Sequence, residues 1–75
     1  MPKNLVRQQL AIIESISEAR TRAGLSQREV SARLKEGPTF VQRIESGERD
    51  VTVAEFIRIA GVLGVDPCEL LRRAL

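Results

Sequence analysis

Apolar residues recur at three- and four-residue intervals along almost the whole chain. Ile13, Ile16, Ala19 and Ala23 fall close to one stripe, Val30 and Leu34 form an inward pair, and Val41 and Ile44 form another. Phe56, Ile57, Ala60 and Leu63 follow, and Leu70 and Leu71 close the series. That spacing belongs to helices that bury one face. No run alternates with period two well enough to propose a strand. Polar punctuation marks the ends. Ser26 with Glu29 and Thr52 with Glu55 read as capping boxes, and Asp66 before Pro67, with Glu69 three on, reads as a cap followed by a proline at the first helical position. Gly24, Gly47 and Gly64 stand where three helices should stop. The pattern predicts five helices, at roughly 4–23, 27–34, 38–46, 52–63 and 67–74, packed as a compact all-α five-helix bundle in a single domain over residues 1–75.

Composition narrows the chemistry. Seventy-five residues allow one modest core, and 43% hydrophobic with 29% charged residues is a globular balance. With two Phe and no Tyr or Trp, that core must be aliphatic. A single Cys excludes an internal disulfide and a cysteine-rich zinc site, and the absence of His removes the commonest general base and metal ligand. No carboxylate pair in an evident pocket and no phosphate-binding glycine loop is visible, so an enzyme is not expected, nor is a cofactor or metal. The uncharged stretches fall far short of the roughly 20 residues that span a bilayer. Residues 1–15 lack the apolar block of a signal peptide, so a cytoplasmic location is expected. The net charge of +2 says little about partners, because a local cationic face matters more than the sum.

One stretch carries functional information: Leu25 to Gly47, LSQREVSARLKEGPTFVQRIESG. It reads as two short helices joined by a tight turn. With Val41 and Ile44 turned inward, the second helix presents Pro38, Thr39, Phe40, Gln42 and Arg43. A second helix with such a polar face is how one common class of protein reads the DNA major groove. Arg43 has the geometry for guanine O6 and N7, Gln42 for adenine N6 and N7, and the Thr39 hydroxyl for a base or a phosphate. Phe40 either packs under the supporting helix or touches a thymine methyl or the sugar-phosphate chain. Gln27 lies in the first turn of the supporting helix, beside exposed backbone N–H groups that suit a phosphate oxygen.

The same stretch resembles the helix-turn-helix of the Cro and phage-repressor family (the xenobiotic-response-element type), whose fold is the lambda-repressor-like DNA-binding domain. The matching residues are L-S-Q-x-E from Leu25, the inward pair Val41 and Ile44, I-E-S-G-E-R from Ile44, and R-I-A-x-x-L-G-V-D-P-x-E-L-L from Arg58. The resemblance runs over about residues 10–72. It implies base reading by Pro38, Thr39 and Arg43 with Gln42 flanking, phosphate contacts by Gln27 and Arg49, and a structural salt bridge between Arg20 and Glu45. Glu48 and Asp50 flank Arg49 with the wrong sign for DNA. Two positions depart from the family. Lys35 stands where a turn glycine is common, with Gly37 two residues later, so a differently shaped turn is expected. Ser31 replaces a small residue, usually alanine, and should still permit close helix packing.

The first helix begins about two turns before its counterpart in the family, through Leu5, Val6 and Leu10. This extension either covers the edge of the bundle or forms a dimer or partner contact. Such modules usually bind as two-fold dimers with half-sites about 34 Å, or 10 bp, apart. Val62, Val65, Leu70, Leu71 and Leu75 are the first candidate pairing surface, and Leu5, Val6 and Leu10 the second. Cys68 is expected to be a small buried residue near that surface. The resemblance implies a sequence-specific, double-stranded-DNA-binding transcription regulator, a dimeric repressor on a palindromic operator. Compatible settings are a phage or mobile-element repressor, a restriction-modification controller, or an antitoxin with a toxin as protein partner. The alternative is a protein-interaction module of the same fold that has lost DNA reading.

Overall fold

The computed structural model describes residues 3–75, with side chains from Val6 onward. Five helices follow one another: α1 (Lys3–Arg22), α2 (Gln27–Arg33), α3 (Phe40–Glu45), α4 (Val53–Leu63) and α5 (Pro67–Arg72). No strand occurs among the described residues. Helix α1 lies against α3, α4 and α5, while α2 packs on α3 and α4. Both capping boxes form: Ser26 and Thr52 accept from the backbone N–H of Glu29 and Glu55, whose carboxylates accept in return from the cap N–H groups. Asp66 caps α5 by accepting from the Cys68 N–H.

The core is one aliphatic cluster with two Phe at its margin. It joins Ile16 and Ala19 of α1, Val30 and Leu34, Phe40, Val41 and Ile44, Phe56, Ile59, Ala60 and Leu63, and Leu70. Several expected positions differ. Ile57 is 52% exposed, and Ile59 is buried in its place, which gives α4 a clean stripe at Phe56, Ile59, Ala60 and Leu63. Leu71 is exposed because Leu70 alone turns inward, Ala23 is exposed at the end of α1, and Ile13 is only half-buried. Cys68 is exposed rather than buried, since the inward position of α5 belongs to Leu70. Leu5 lies on α1, but its side chain is outside the described residues.

Two buried serines tie helices together. Ser15 Oγ donates to the Leu70 carbonyl at 2.7 Å, satisfying an acceptor in the last turn of α5. Ser31, fully buried, donates to the Gln27 carbonyl at 2.9 Å and accepts from the Val41 N–H at 3.1 Å. Val41 is the second residue of α3, where an N–H has no partner within its own helix. Thr39, the N-cap residue of α3, makes no side-chain capping bond. The neighbouring helix therefore supplies the cap, a service alanine at position 31 would not perform.

The turn into α3 is built in two steps. Lys35 takes the left-handed conformation (φ 59°), with its N–H on the Ala32 carbonyl and the Glu36 N–H on the Ser31 carbonyl. This is a Schellman termination with lysine where glycine is favoured. The expected change in turn shape does not occur at Gly37, whose φ is not positive. Instead Phe40 N–H donates to the Gly37 carbonyl at 3.1 Å. With Pro38 second in that turn and Thr39 at φ −102°, ψ 6°, the geometry is a type I turn. It starts α3 at Phe40 rather than 38. Arg58 of α4 braces the arrangement from behind, with Nη2 donating to the Leu34 carbonyl at 2.6 Å and Nη1 3.5 Å from Glu36.

Two stability measurements follow. Lys35→Gly relieves a left-handed residue and should stabilise the fold by about 0.5–1 kcal/mol in urea unfolding, the strain relief outweighing the freer unfolded chain. Ser31→Ala strands the Val41 N–H and should cost about 1–3 kcal/mol in the same assay.

Candidate nucleic-acid interface

The outward side of the α2–α3 pair is where the candidate residues gather. Pro38, Thr39, Gln42 and Arg43 are all exposed, the first two in the type I turn and the others on α3. Phe40 is 9% exposed, which assigns it to the core. Gln27, at the first position of α2, is half-buried. The polar face thus runs from the turn along α3, with Gln27 at its edge.

A single carboxylate organises that edge. Arg20 Nε donates to Glu45 Oε2 at 2.7 Å and Nη2 to Oε1 at 3.1 Å, a two-bond fork with side chains only 16% and 8% exposed. The remaining guanidinium nitrogen, Nη1, donates to the Leu25 carbonyl at 2.8 Å. Gln27 Nε2 donates to Glu45 Oε1 at 3.0 Å. The end of α1, the start of α2 and the end of α3 therefore meet at one charged, hydrogen-bonded node. The bond to Glu45 pushes the Arg20 pKa upward against the opposing effect of burial.

Arg49 sits in a second node beyond α3. Nη1 and Nη2 donate to Glu55 Oε1 and Oε2 at 2.9 and 2.7 Å, and Nη1 also reaches the Asp50 carbonyl at 2.8 Å. The guanidinium lies 4.6 Å from the centre of the Phe40 ring, a cation–π contact. Glu55 simultaneously completes the Thr52 capping box. Hydrogen bonding from Arg49 first, and from the Thr52 backbone second, holds the Glu55 carboxyl at about 2. The structure thus engages Arg49 in bracing the loop between α3 and α4. The clamp has no counterpart among the sequence expectations, which place Glu55 only in the Thr52 capping box and Arg49 only on a phosphate.

Arg43 is more open, with a side chain 53% exposed and Nε 3.5 Å from Glu48 Oε2. Among the described residues, no group of three or more His, Cys, Asp or Glu side chains converges to hold a metal. No described helix is long and apolar enough to cross a membrane.

Comparison with known proteins bears on this geometry. A helix-turn-helix family model matches residues 16–70. Among solved structures, the chain is similar to an XRE-family like protein from Pseudomonas syringae pv. tomato str. DC3000. The two share 37% identity and a TM-score of 0.85, over 95% of this chain and 85% of the other. No curated protein matches the chain.

The clamp on Glu55 makes stability depend on acid in a defined direction. Its carboxyl titrates at about 2 when folded and near the ordinary 4.5 when unfolded. As pH falls below 4.5 the unfolded chain takes up the proton first, so the stabilisation present at neutral pH drains away toward pH 2. Urea unfolding between pH 6 and pH 3 should show this loss, and Glu55→Gln should be less stable at pH 6 with a flatter pH profile.

Proposed function

Because the chain belongs to the helix-turn-helix family of Cro- and repressor-type DNA-binding regulators, which are not enzymes, we propose that it is a sequence-specific transcription regulator, a homodimeric repressor on a palindromic operator. The observation that carries this reading is the exposed polar face of Pro38, Thr39, Gln42 and Arg43, fixed by contacts on its opposite side. In the major groove Arg43 pairs with guanine O6 and N7, Gln42 with an adjacent adenine, and Thr39 and Pro38 meet the bases at the start of α3. Gln27 takes a phosphate. Its amide nitrogen carries two hydrogens, one of which is held by Glu45, which leaves the other to donate to a backbone oxygen. Arg49 is committed to Glu55 through two of its nitrogens while its side chain stays 34% exposed, so we assign it support of the loop first and a phosphate contact second.

Dimerisation is supported by the distribution of exposed apolar groups. Leu70 is fully buried and Val62 and Val65 pack against the core, which leaves Leu71 and Leu75 of the first candidate surface open. Val6 and Leu10 of the second are open too. The surfaces are joined. A groove of about 430 Å³ lined by Val6, Leu10, Ile12, Ile13 and Val51 continues through Ile12 and Val51 into a smaller hollow of about 130 Å³ lined by Val53, Phe56 and Leu71. In the proposed homodimer a second copy covers this strip, and each copy contributes one reading face to the operator. The same strip favours the second reading, a protein-interaction module whose partner, such as a toxin, occupies it in place of a second copy.

Selection of bound duplexes from a random pool at about 0.15 M salt tests the reading. A palindrome with half-site centres about 10 bp apart is the expected product, and no enrichment by the folded protein moves the assignment to the interaction module. Arg43→Ala should cost about 1–3 kcal/mol on the selected site and relax one base position, whereas Gln27→Ala should weaken binding evenly across sequences.

A further inference from the structure

Glu48 stands on the reading side of the molecule, where a negative charge opposes DNA. We propose that it is a positioning residue: it holds the Arg43 guanidinium in the orientation that reads guanine, and so contributes to specificity while lowering general affinity. The inference rests on the reading of Arg43 as a base contact.

The loop that carries Glu48 is folded back onto Arg43 itself. Gly47, in the left-handed conformation at φ 83°, reverses the chain directly after α3. The Arg49 N–H then donates to the Arg43 carbonyl at 3.2 Å, and Ser46 Oγ donates to the same carbonyl at 3.1 Å. Ser46 Oγ also accepts from the Glu48 N–H at 3.4 Å. The backbone of the loop is thus fixed to the residue whose side chain Glu48 faces. The Arg49 clamp on Glu55 secures the next residue of the loop in turn.

The side-chain geometry suits an orienting role. The shortest approach between the two side chains is Glu48 Oε2 to Nε of Arg43, at 3.5 Å. A contact centred on Nε leaves the hydrogens of the terminal Nη groups to guanine O6 and N7. An unsupported arginine must lose much rotamer freedom on binding. A partner at Nε narrows that freedom beforehand, while the terminal fork stays open to the groove. The same carboxylate repels phosphates of any sequence. These two consequences have opposite signs, one on discrimination and one on affinity, so experiment can separate them.

The test uses the full chain and its Glu48→Gln variant, which removes the charge and keeps the size. Dissociation constants are measured at about 0.15 M salt for the selected operator, for that operator with the guanine pair assigned to Arg43 replaced, and for random duplex. Glu48→Gln should bind random duplex about two- to threefold more tightly, while its preference for the guanine-bearing operator falls by about two- to fivefold, the range of an exposed ion pair. In an Arg43→Ala background, Glu48→Gln should leave the preference at that base pair unchanged. A preference equal to that of the unmodified chain would show Glu48 to be a bystander charge and overturn the proposal. So would a loss confined to a base pair that Arg43→Ala does not affect, since Glu48 would then be reading that base directly. If Arg43→Ala alone leaves every base preference intact, the reading of Arg43 fails first, and the two failures are distinguished by which variant is silent.

Discussion

A helix of six residues has almost no stability of its own in water, so α3 exists only through what grips it. Phe40, Val41 and Ile44 are sunk into the core. Ser31 supplies the acceptor for an N–H near its start, and Arg20 holds Glu45 at its end. The returning loop hydrogen-bonds to the carbonyl of Arg43 near its last turn. These contacts come from α1, α2 and the α3–α4 loop, and the remaining helices exist in this respect to hold those three in place. Ser15 ties α1 to α5, and Arg58 ties α4 to the turn after α2. The fold is a frame around one short segment.

What could be read from the sequence was what depends on neighbours one to four residues apart. The two capping boxes, the Asp66–Pro67 start and the glycine stops set the helix order and class, because each is a local exchange of backbone hydrogen bonds. Ile57 and Ile59 show the limit of that information. Either completes a plausible stripe with Phe56 or Ala60, and only packing against the other helices selects Ile59. The start of α3 was misplaced because a proline at position 38 suits both the first turn of a helix and the second place of a type I turn, and the Gly37–Phe40 bond decides between them. Contacts between distant elements left fainter traces. Nothing about Ser15 in its own segment marks it as the partner of Leu70, 55 residues away. The Arg49–Glu55 clamp was within reach, since both residues had been singled out separately, but pairing them needed the bend of the loop.

The low net charge acquires a different meaning in this setting. Gln27, Arg43 and Arg49 each face a carboxylate, respectively Glu45, Glu48 and Glu55. A surface that attracted DNA by charge alone would gain from shedding these acids. Here they fix the directions of long, flexible side chains, one of them (Glu55) at a pKa far below the carboxylate range. The balance favours orientation over attraction. Glu45 and Glu55 are the two most enclosed of the three, and they hold residues that join helices together. Glu48, the most open, faces the residue with the most open side chain.

Every brace on α3 described above approaches from its inner side, from its ends or through its backbone, and none uses the side chains of Pro38, Thr39 or Gln42. Substitutions at those three positions are therefore nearly free of consequence for folding, apart from the turn preference of Pro38. A lineage carrying this frame can drift through many combinations there without passing through an unstable intermediate. The separation between what holds the helix and what the helix displays leaves the surface free to vary without cost to the frame, while substitutions at Ser31, Arg20 or Glu45 disturb that frame whatever the sequence being read.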